Sequence, residues 1–307
     1  LSKAAIGAGI LTVPYAVKEA GVYHALAVMA LCAVLSFSSL EALRLVVSEG
    51  GKAVRAWADR GYAGLVTGLY GQRWGALVEV LQALCNFLAF TSFMQISAFE
   101  IATLADLSAW SRRQMDFMHW RAYGLWAAVL VVVLPLASMR NMSSLRFSSS
   151  LGLLCVTYII AVVVAGYVWH GGEPCAGNSA DETPLQSLGR EDPFVHKSLW
   201  DLDAVQLVKS FTIVACSFIN QVQYIPILLE VRNPTRLRVR VLILTATALC
   251  FTADALMGMF GYLTFCSKTR DNILDNFSKT SLVYVIARLM LVANLLITMP
   301  LVIYPVR

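Results

Sequence analysis

Apolar stretches of about bilayer-spanning length constrain this chain more than any other feature. Eight of them lie between charged or turn residues, at 2–18, 22–46, 74–104, 123–137, 151–169, 204–229, 241–265 and 282–303. Because a bilayer core about 30 Å thick needs about 20 apolar residues per helix, the pattern predicts an all-α polytopic membrane protein. Charged residues make up only 14% of the 307, so we expect no water-soluble domain.

The whole chain, 1–307, is interpreted as one transmembrane domain. Arginine and lysine are denser in the short loops after spans two, four and six than in the longer loops on the other side. Since basic loops stay in the cytosol, the chain is predicted to begin there, which makes 170–203 an extracytoplasmic loop. Residues 52–70, between spans two and three, are either an interfacial helix or a connector under the bundle.

Two cysteines and a sequon fall on the predicted outer face. Cys175 lies in the long outer loop and Cys266 follows span seven. They share an oxidising compartment, where they either form a disulfide or remain two free thiols. Asn276 and Ser278 form a glycosylation sequon on the same side.

The first span is interrupted in its middle. Gly7, Ala8 and Gly9 stand at its centre and Pro14 follows. In hydrocarbon, a gap in the backbone hydrogen-bond ladder is costly unless protein, water or a ligand satisfies the freed groups. A broken membrane helix is therefore a candidate binding site. The alternative is that the glycines only allow close packing and Pro14 only kinks the helix.

Span six is interrupted at the corresponding position. Polar residues appear from Ser217 to Gln223, and Pro226 follows. Interrupted helices at matching positions of two halves point to the binding site of an inverted-repeat transporter. The glycine turn of span one offers N–H groups to a carboxylate, and the carbonyls of 217–220 can accept from an ammonium. The two breaks together predict a site for the head group of an amino acid.

Three stretches carry a family resemblance: LSKAAIGAGILTVPYA from Leu1, SFINQVQYIPILLEVRNPT from Ser217 and RLMLVANLLITMPLVIYPVR from Arg288. They resemble the amino acid/auxin permease family, especially its sodium-coupled neutral amino acid transporters. The resemblance implies a five-plus-five inverted-repeat fold of the amino acid-polyamine-organocation type. Residues 1–169 would form the first repeat and 204–307 part of the second, so the chain would hold the first eight helices and lack the last ones.

The resemblance also implies secondary active transport of amino acids by alternating access, and it maps substrate contacts onto this chain. In span one they are Gly7, Ala8, Gly9 and Ile10, and in span six they are Ser217, Phe218, Ile219 and Asn220.

One departure from the family pattern concerns the coupling ion. Sodium-coupled relatives have an asparagine in the pattern LSNA, where this chain has Lys3. An ammonium there would repel Na⁺, which predicts sodium-independent transport, either proton-coupled or facilitative. Thr298 lies where the other half of a sodium site would be, or it bonds back to a carbonyl one turn earlier. Lys3 and Asp254 are the candidates for carrying H⁺.

Four ionisable residues fall within or near the ends of predicted spans: Glu100, Lys209, Asp254 and Arg288. Such residues are functional candidates. For Lys209 and Arg288, the simpler interpretation is that a long side chain snorkels to the membrane surface.

Other function classes receive little support from the sequence. No histidine pair, metal-ligand spacing or nucleophile motif indicates an enzyme, a metal site or a cofactor. The basic residues lie in short loops between spans, which argues against nucleic-acid binding. The expected partners are an amino acid and membrane lipid. A transporter-like amino acid sensor stays open as the alternative, as does the choice between a plasma and an organellar membrane, vacuolar or lysosomal.

Overall fold

The computed structural model describes residues 8–107, 145–169, 203–219, 221–231, 235–278 and 281–303, together with Cys175 and isolated positions between 123 and 134. These residues are helical or lie in turns, and none of them is in a β strand. The helices of spans two, three, five, seven and eight are Val22–Glu49, Gln72–Leu107, Leu145–Trp169, Arg236–Phe265 and Leu282–Ile303. Each is long and apolar enough to cross a membrane.

Spans one and six are not continuous helices. In span one, a 3₁₀ turn at Ala8–Thr12 precedes an α-helix at Val13–Ala20. In span six, helix Ala204–Ser217 ends before a second helix begins at Gln221–Glu230. Pro14 lies in the first turn of its helix, where its missing N–H breaks no intrahelical bond. Span four falls largely outside the described residues.

The segment between spans two and three forms two short helices, Gly51–Ala58 and Gly61–Tyr70. Val54 and Leu65 are buried there, 8% and 2% exposed. They belong to an apolar cluster that also contains Ile225 from the second half of span six. The segment therefore packs as a connector under the bundle.

Span one lies directly on span seven because two glycines leave room for it. A Cβ on Gly261 would come within 2.7 Å of Pro14 Cγ, and one on Gly258 within 2.9 Å of Val13 Cγ1. Small residues let membrane helices approach this closely. The main apolar core gathers around this contact and extends into spans two, five and eight.

The loops on the predicted outer face are held in place by covalent and polar contacts. Cys175 and Cys266 are joined in a disulfide, and the Cys175 backbone N–H donates to the Leu263 carbonyl at 2.7 Å. The Asn276 side chain accepts from the Arg270 N–H at 2.9 Å and donates to the Lys268 carbonyl at 2.8 Å. These contacts hold the segment after span seven against the end of its helix.

Arg288 does not snorkel, so that prediction is wrong. Its side chain is fully buried and forms an ion pair with Glu100 of span three, which is also fully buried. Arg288 Nη2 also donates to the Leu274 carbonyl at 2.7 Å and to Asp275 Oδ1 at 3.1 Å. The physical reason is that the loop folds back over the end of span eight and supplies partners inside the protein. Lys209, by contrast, is exposed.

Candidate functional site

The two helix breaks meet in space. A Cβ placed on Gly9 would lie 3.5 Å from Ser217 Oγ, the last helical residue before the break in span six. The 3₁₀ turn at Ala8–Thr12 packs against helix Ala204–Ser217 and against span seven. Because glycine has no side chain, the turn presents its bare backbone toward Ser217 at Gly9.

The predicted contact residues take different positions around this point. Ile10 and Phe218 are buried, each 3% exposed, and belong to the main core, whereas Ile219 is 59% exposed. Ala8 lies in the 3₁₀ turn. Gly7 and Asn220 fall outside the described residues, as does Lys3.

The backbone at the break in span six is partly satisfied by its neighbours. The Phe218 N–H donates to the Ala215 carbonyl at 3.0 Å, which closes the end of the helix. The Phe218 carbonyl accepts from the Ser36 hydroxyl of span two, also at 3.0 Å. A carbonyl has two lone pairs, so this one can still accept a second donor. Ser36 was not predicted to lie at the site, because its only signal in the sequence is a hydroxyl inside an apolar span.

Asp254 of span seven lies deep in the core beside this break. It is 1% exposed, and its carboxyl lies against the Ser217 hydroxyl. Asp254 Oδ2 and Ser217 Oγ both lack a hydrogen-bond partner of good geometry, and among the described residues no cation pairs with Asp254. Thr247 Oγ1, two turns earlier on the same helix, is also buried and unpartnered. Because buried polar groups are nearly always hydrogen-bonded, Asp254 and Ser217 together have capacity for a ligand, an ion or water.

Thr298 is buried in span eight, and its hydroxyl donates to the Asn294 carbonyl at 2.6 Å. This is the back-bonded arrangement considered as the alternative to an ion ligand. The bond uses the hydroxyl proton and leaves the oxygen able to accept or to coordinate.

A cavity of about 800 Å³ lies on the outer side of the break, between span one and the first half of span six. Thr12, Lys209 and Asp271 are among its lining residues. The Thr12 hydroxyl also donates to the Gly9 carbonyl at 2.8 Å. The cavity therefore extends from the outer loop to the residue that fixes the turn at Gly9.

Sequence comparison is consistent with this geometry. A family model described as "Transmembrane amino acid transporter protein" matches residues 1–307. The chain belongs to the transmembrane amino acid transporter family. This match confirms the family resemblance inferred from the three sequence stretches. It also confirms the prediction that the chain is a multi-pass integral membrane protein. Family membership points to a transporter and not to an enzyme.

A curated relative is the sodium-coupled neutral amino acid symporter 2 of Danio rerio. The two sequences are 24% identical over 318 residues, an alignment that covers 100% of this chain and 61% of the relative. The chain thus spans about three fifths of the length of the curated relative that it matches.

Proposed function

We propose that the protein is a secondary active transporter that moves amino acids across a membrane by alternating access. The observation that carries the proposal is the meeting of the two interrupted helices at Gly9 and Ser217. In this proposal residues 1–169 and 204–307 belong to two inverted repeats, and the site lies between them near the membrane midplane.

The head group of the amino acid would use both breaks. N–H groups in the turn around Gly7 to Gly9 would bind the carboxylate, because the start of a helical segment presents free donors and a positive dipole end. Carbonyls at 217–220 would accept from the ammonium, and the free lone pair on the Phe218 carbonyl supports this assignment. The outer cavity beside Thr12 would be the route by which the amino acid enters.

Coupling is proposed to be independent of sodium. Lys3 replaces the asparagine of the sodium-coupled pattern, and a fixed ammonium would repel Na⁺ at the position next to Thr298. Asp254 is the candidate proton carrier, because its carboxyl is buried, lies beside the break and has no cationic partner among the described residues. An ionised carboxylate is strongly disfavoured in such surroundings, so proton binding and release there would accompany access to water.

Uptake of labelled amino acids into proteoliposomes tests the proposal, using the full-length protein with sodium and pH gradients imposed separately. We expect uptake driven by the pH gradient and unchanged by sodium. Asp254→Asn should abolish the response to pH while exchange of amino acid between the two sides continues, and the exposed Asp59→Asn is the matched control.

Sodium-driven uptake by the wild-type protein would contradict the coupling proposal alone. No uptake or exchange of any amino acid would contradict the transporter itself and favour an amino acid sensor.

A further inference from the structure

A basic cavity of about 240 Å³ lies at the opposite end of the molecule from the outer loops. It is formed where span two ends, the second half of span six ends and span seven begins. Three arginines, Arg44, Arg55 and Arg236, line it together with Ser48 and Thr235. This is the end of the bundle that the distribution of basic loops assigns to the cytosol.

The cavity carries an excess of positive charge. Arg44 is paired with Glu41 through two bonds, of 2.9 and 2.7 Å. Arg236 approaches Glu49 at 3.6 Å, with both side chains exposed. Arg55 has no acidic partner in the part of the chain that the structure describes. Among the side chains that the structure describes, two carboxylates, those of Glu41 and Glu49, are paired with the guanidinium groups at this cavity, which number three.

Arg44 is the residue that marks the cavity as a site. It is 7% exposed, yet its Nη1 has no hydrogen-bond partner. The hydroxyl of Tyr224, which is fully buried and close enough to Arg44 to interact electrostatically, is unpartnered as well. A buried donor without an acceptor costs free energy, so the Arg44 guanidinium has capacity for an acceptor beyond Glu41.

The start of span seven adds to the attraction for an anion. Thr235 caps this helix by accepting from the Arg238 N–H at 3.4 Å, and Arg236 is its first residue. The first turn of a 30-residue helix places free N–H groups and a positive dipole end at the wall of the cavity.

The surroundings of the cavity indicate that an anion bound there would belong to a membrane lipid. Leu229 lines it and is 40% exposed, and apolar side chains on the neighbouring helix ends are also exposed: Leu45 by 40%, Leu237 by 73% and Val241 by 48%. On membrane-spanning helices such surface faces lipid. Basic residues at the end of such a surface are suited to bind anionic lipid headgroups.

We propose that this cavity binds the phosphorylated headgroup of an anionic phospholipid, with its acyl chains along the exposed apolar ends of spans two and seven. Arg44, Arg55 and Arg236 would hold the phosphate by charge-assisted hydrogen bonds. Since Leu228 and Leu229 of span six form part of the wall, the bound lipid would hold the second half of the broken span against spans two and seven.

The test measures binding of short-chain phosphatidylinositol bisphosphate to the purified full-length protein, with phosphatidylcholine of the same chain length as the comparison. We expect saturable binding of the anionic lipid. Arg55→Gln and Arg236→Gln should each weaken it about tenfold, the loss of one charge-assisted hydrogen bond. Both residues are exposed, so their replacement leaves the fold intact, which Arg44→Gln would not guarantee.

Two matched controls remove the same charge from the same elements outside the cavity. Arg60→Gln lies in the same connector as Arg55, and Arg238→Gln in the same helix turn as Arg236; neither lines the cavity. Equal weakening by all four variants would overturn the proposal in favour of a diffuse basic surface. Binding no stronger than that of phosphatidylcholine would overturn it outright, and soluble inositol trisphosphate binding as tightly as the lipid would overturn the lipid as the source. None of these results depends on transport.

Discussion

The network around Arg288 and the break between Gly9 and Ser217 differ in how far their buried polar groups are hydrogen-bonded. At the end that carries the 270–278 loop, Arg288 is buried and its two Nη atoms donate to Glu100, to Asp275 and to the Leu274 carbonyl, while its Nε has no partner. At the break, Asp254 and Ser217 are also buried, and Asp254 Oδ2 and Ser217 Oγ both lack a partner of good geometry. A hydrogen-bonded network stabilises one arrangement, whereas unpartnered buried groups can bind a ligand, an ion or water reversibly. The first region therefore holds the fold, and the second is where we place the ligand.

The largest expected effect comes from breaking the outer network. Arg288→Met leaves the Glu100 carboxylate buried and unpaired, which destabilises a protein by about 3–5 kcal/mol. We expect the variant to lose most of its folded fraction, measured by thermal unfolding in detergent. Lys209→Met removes a charge from an exposed position and is the control.

A second variant separates lost pairing from lost volume. The double replacement Glu100→Met with Arg288→Met removes both charges and should recover much of the stability. If Arg288→Met unfolds at the wild-type temperature, the outer end does not hold the fold and the comparison fails.

The second-largest expected loss of stability comes from removing the disulfide. Cys175→Ser should lower the free energy of unfolding by about 2–4 kcal/mol, because the bond constrains the unfolded chain across a long loop. Thermal unfolding with and without reductant measures it, and reductant should have little further effect on the variant. Cys85→Ser, at a free and exposed cysteine of span three, should leave both curves unchanged. An equal shift in both variants would contradict this expectation.

Gly9→Ala tests the break, where we expect a loss of uptake without a loss of stability. Its Cβ would lie 3.5 Å from Ser217 Oγ, an ordinary contact. The fold should therefore be unchanged, with an added methyl group between the two breaks. We expect uptake to fall about tenfold or more, equivalent to about 1.4 kcal/mol, with thermal unfolding unchanged. Gly261→Ala, whose Cβ would approach Pro14 Cγ to 2.7 Å, should lose stability instead. Unchanged uptake by Gly9→Ala would argue against a ligand at this turn.

The smallest effect concerns the Phe218 carbonyl, which accepts a hydrogen bond from Ser36 of span two. Ser36→Ala removes the donor to the Phe218 carbonyl and should cost about 1 kcal/mol. Ser38→Ala, on the same helix but bonded only within it at Val34, is the matched control. A shift in unfolding for Ser36→Ala that does not exceed the control would mean that the break needs no support from span two.

Much of the helical layout could be predicted from the sequence. The apolar stretch 282–303 coincides with helix Leu282–Ile303, and the helix of span three, Gln72–Leu107, extends the predicted 74–104 at both ends. The location of the break in span six was also readable, since Ser217 ends one helix there. Hydropathy succeeds because a bilayer forces every backbone group into an internal bond over a fixed thickness.

The partners of polar side chains could not be predicted in the same way. Glu100 and Arg288 are 188 residues apart in sequence, and nothing in either span indicates which way each faces. Ser36 was equally hidden, because a serine in an apolar helix usually bonds to its own backbone, as Ser38 does. Such contacts depend on helix rotation, which composition does not specify.

The sequence by itself determined that this chain is a bundle of membrane helices with two interrupted spans, and it carried enough of the family pattern to be recognised. The tertiary structure decided that Gly9 lies against Ser217 and that Asp254 is buried beside Ser217, with no cation paired to it among the described residues. It also decided that Arg288 is paired instead of snorkelling. The division has one physical reason: hydropathy acts along each helix and is read residue by residue, whereas close packing and polar pairing act between helices that the chain order leaves far apart.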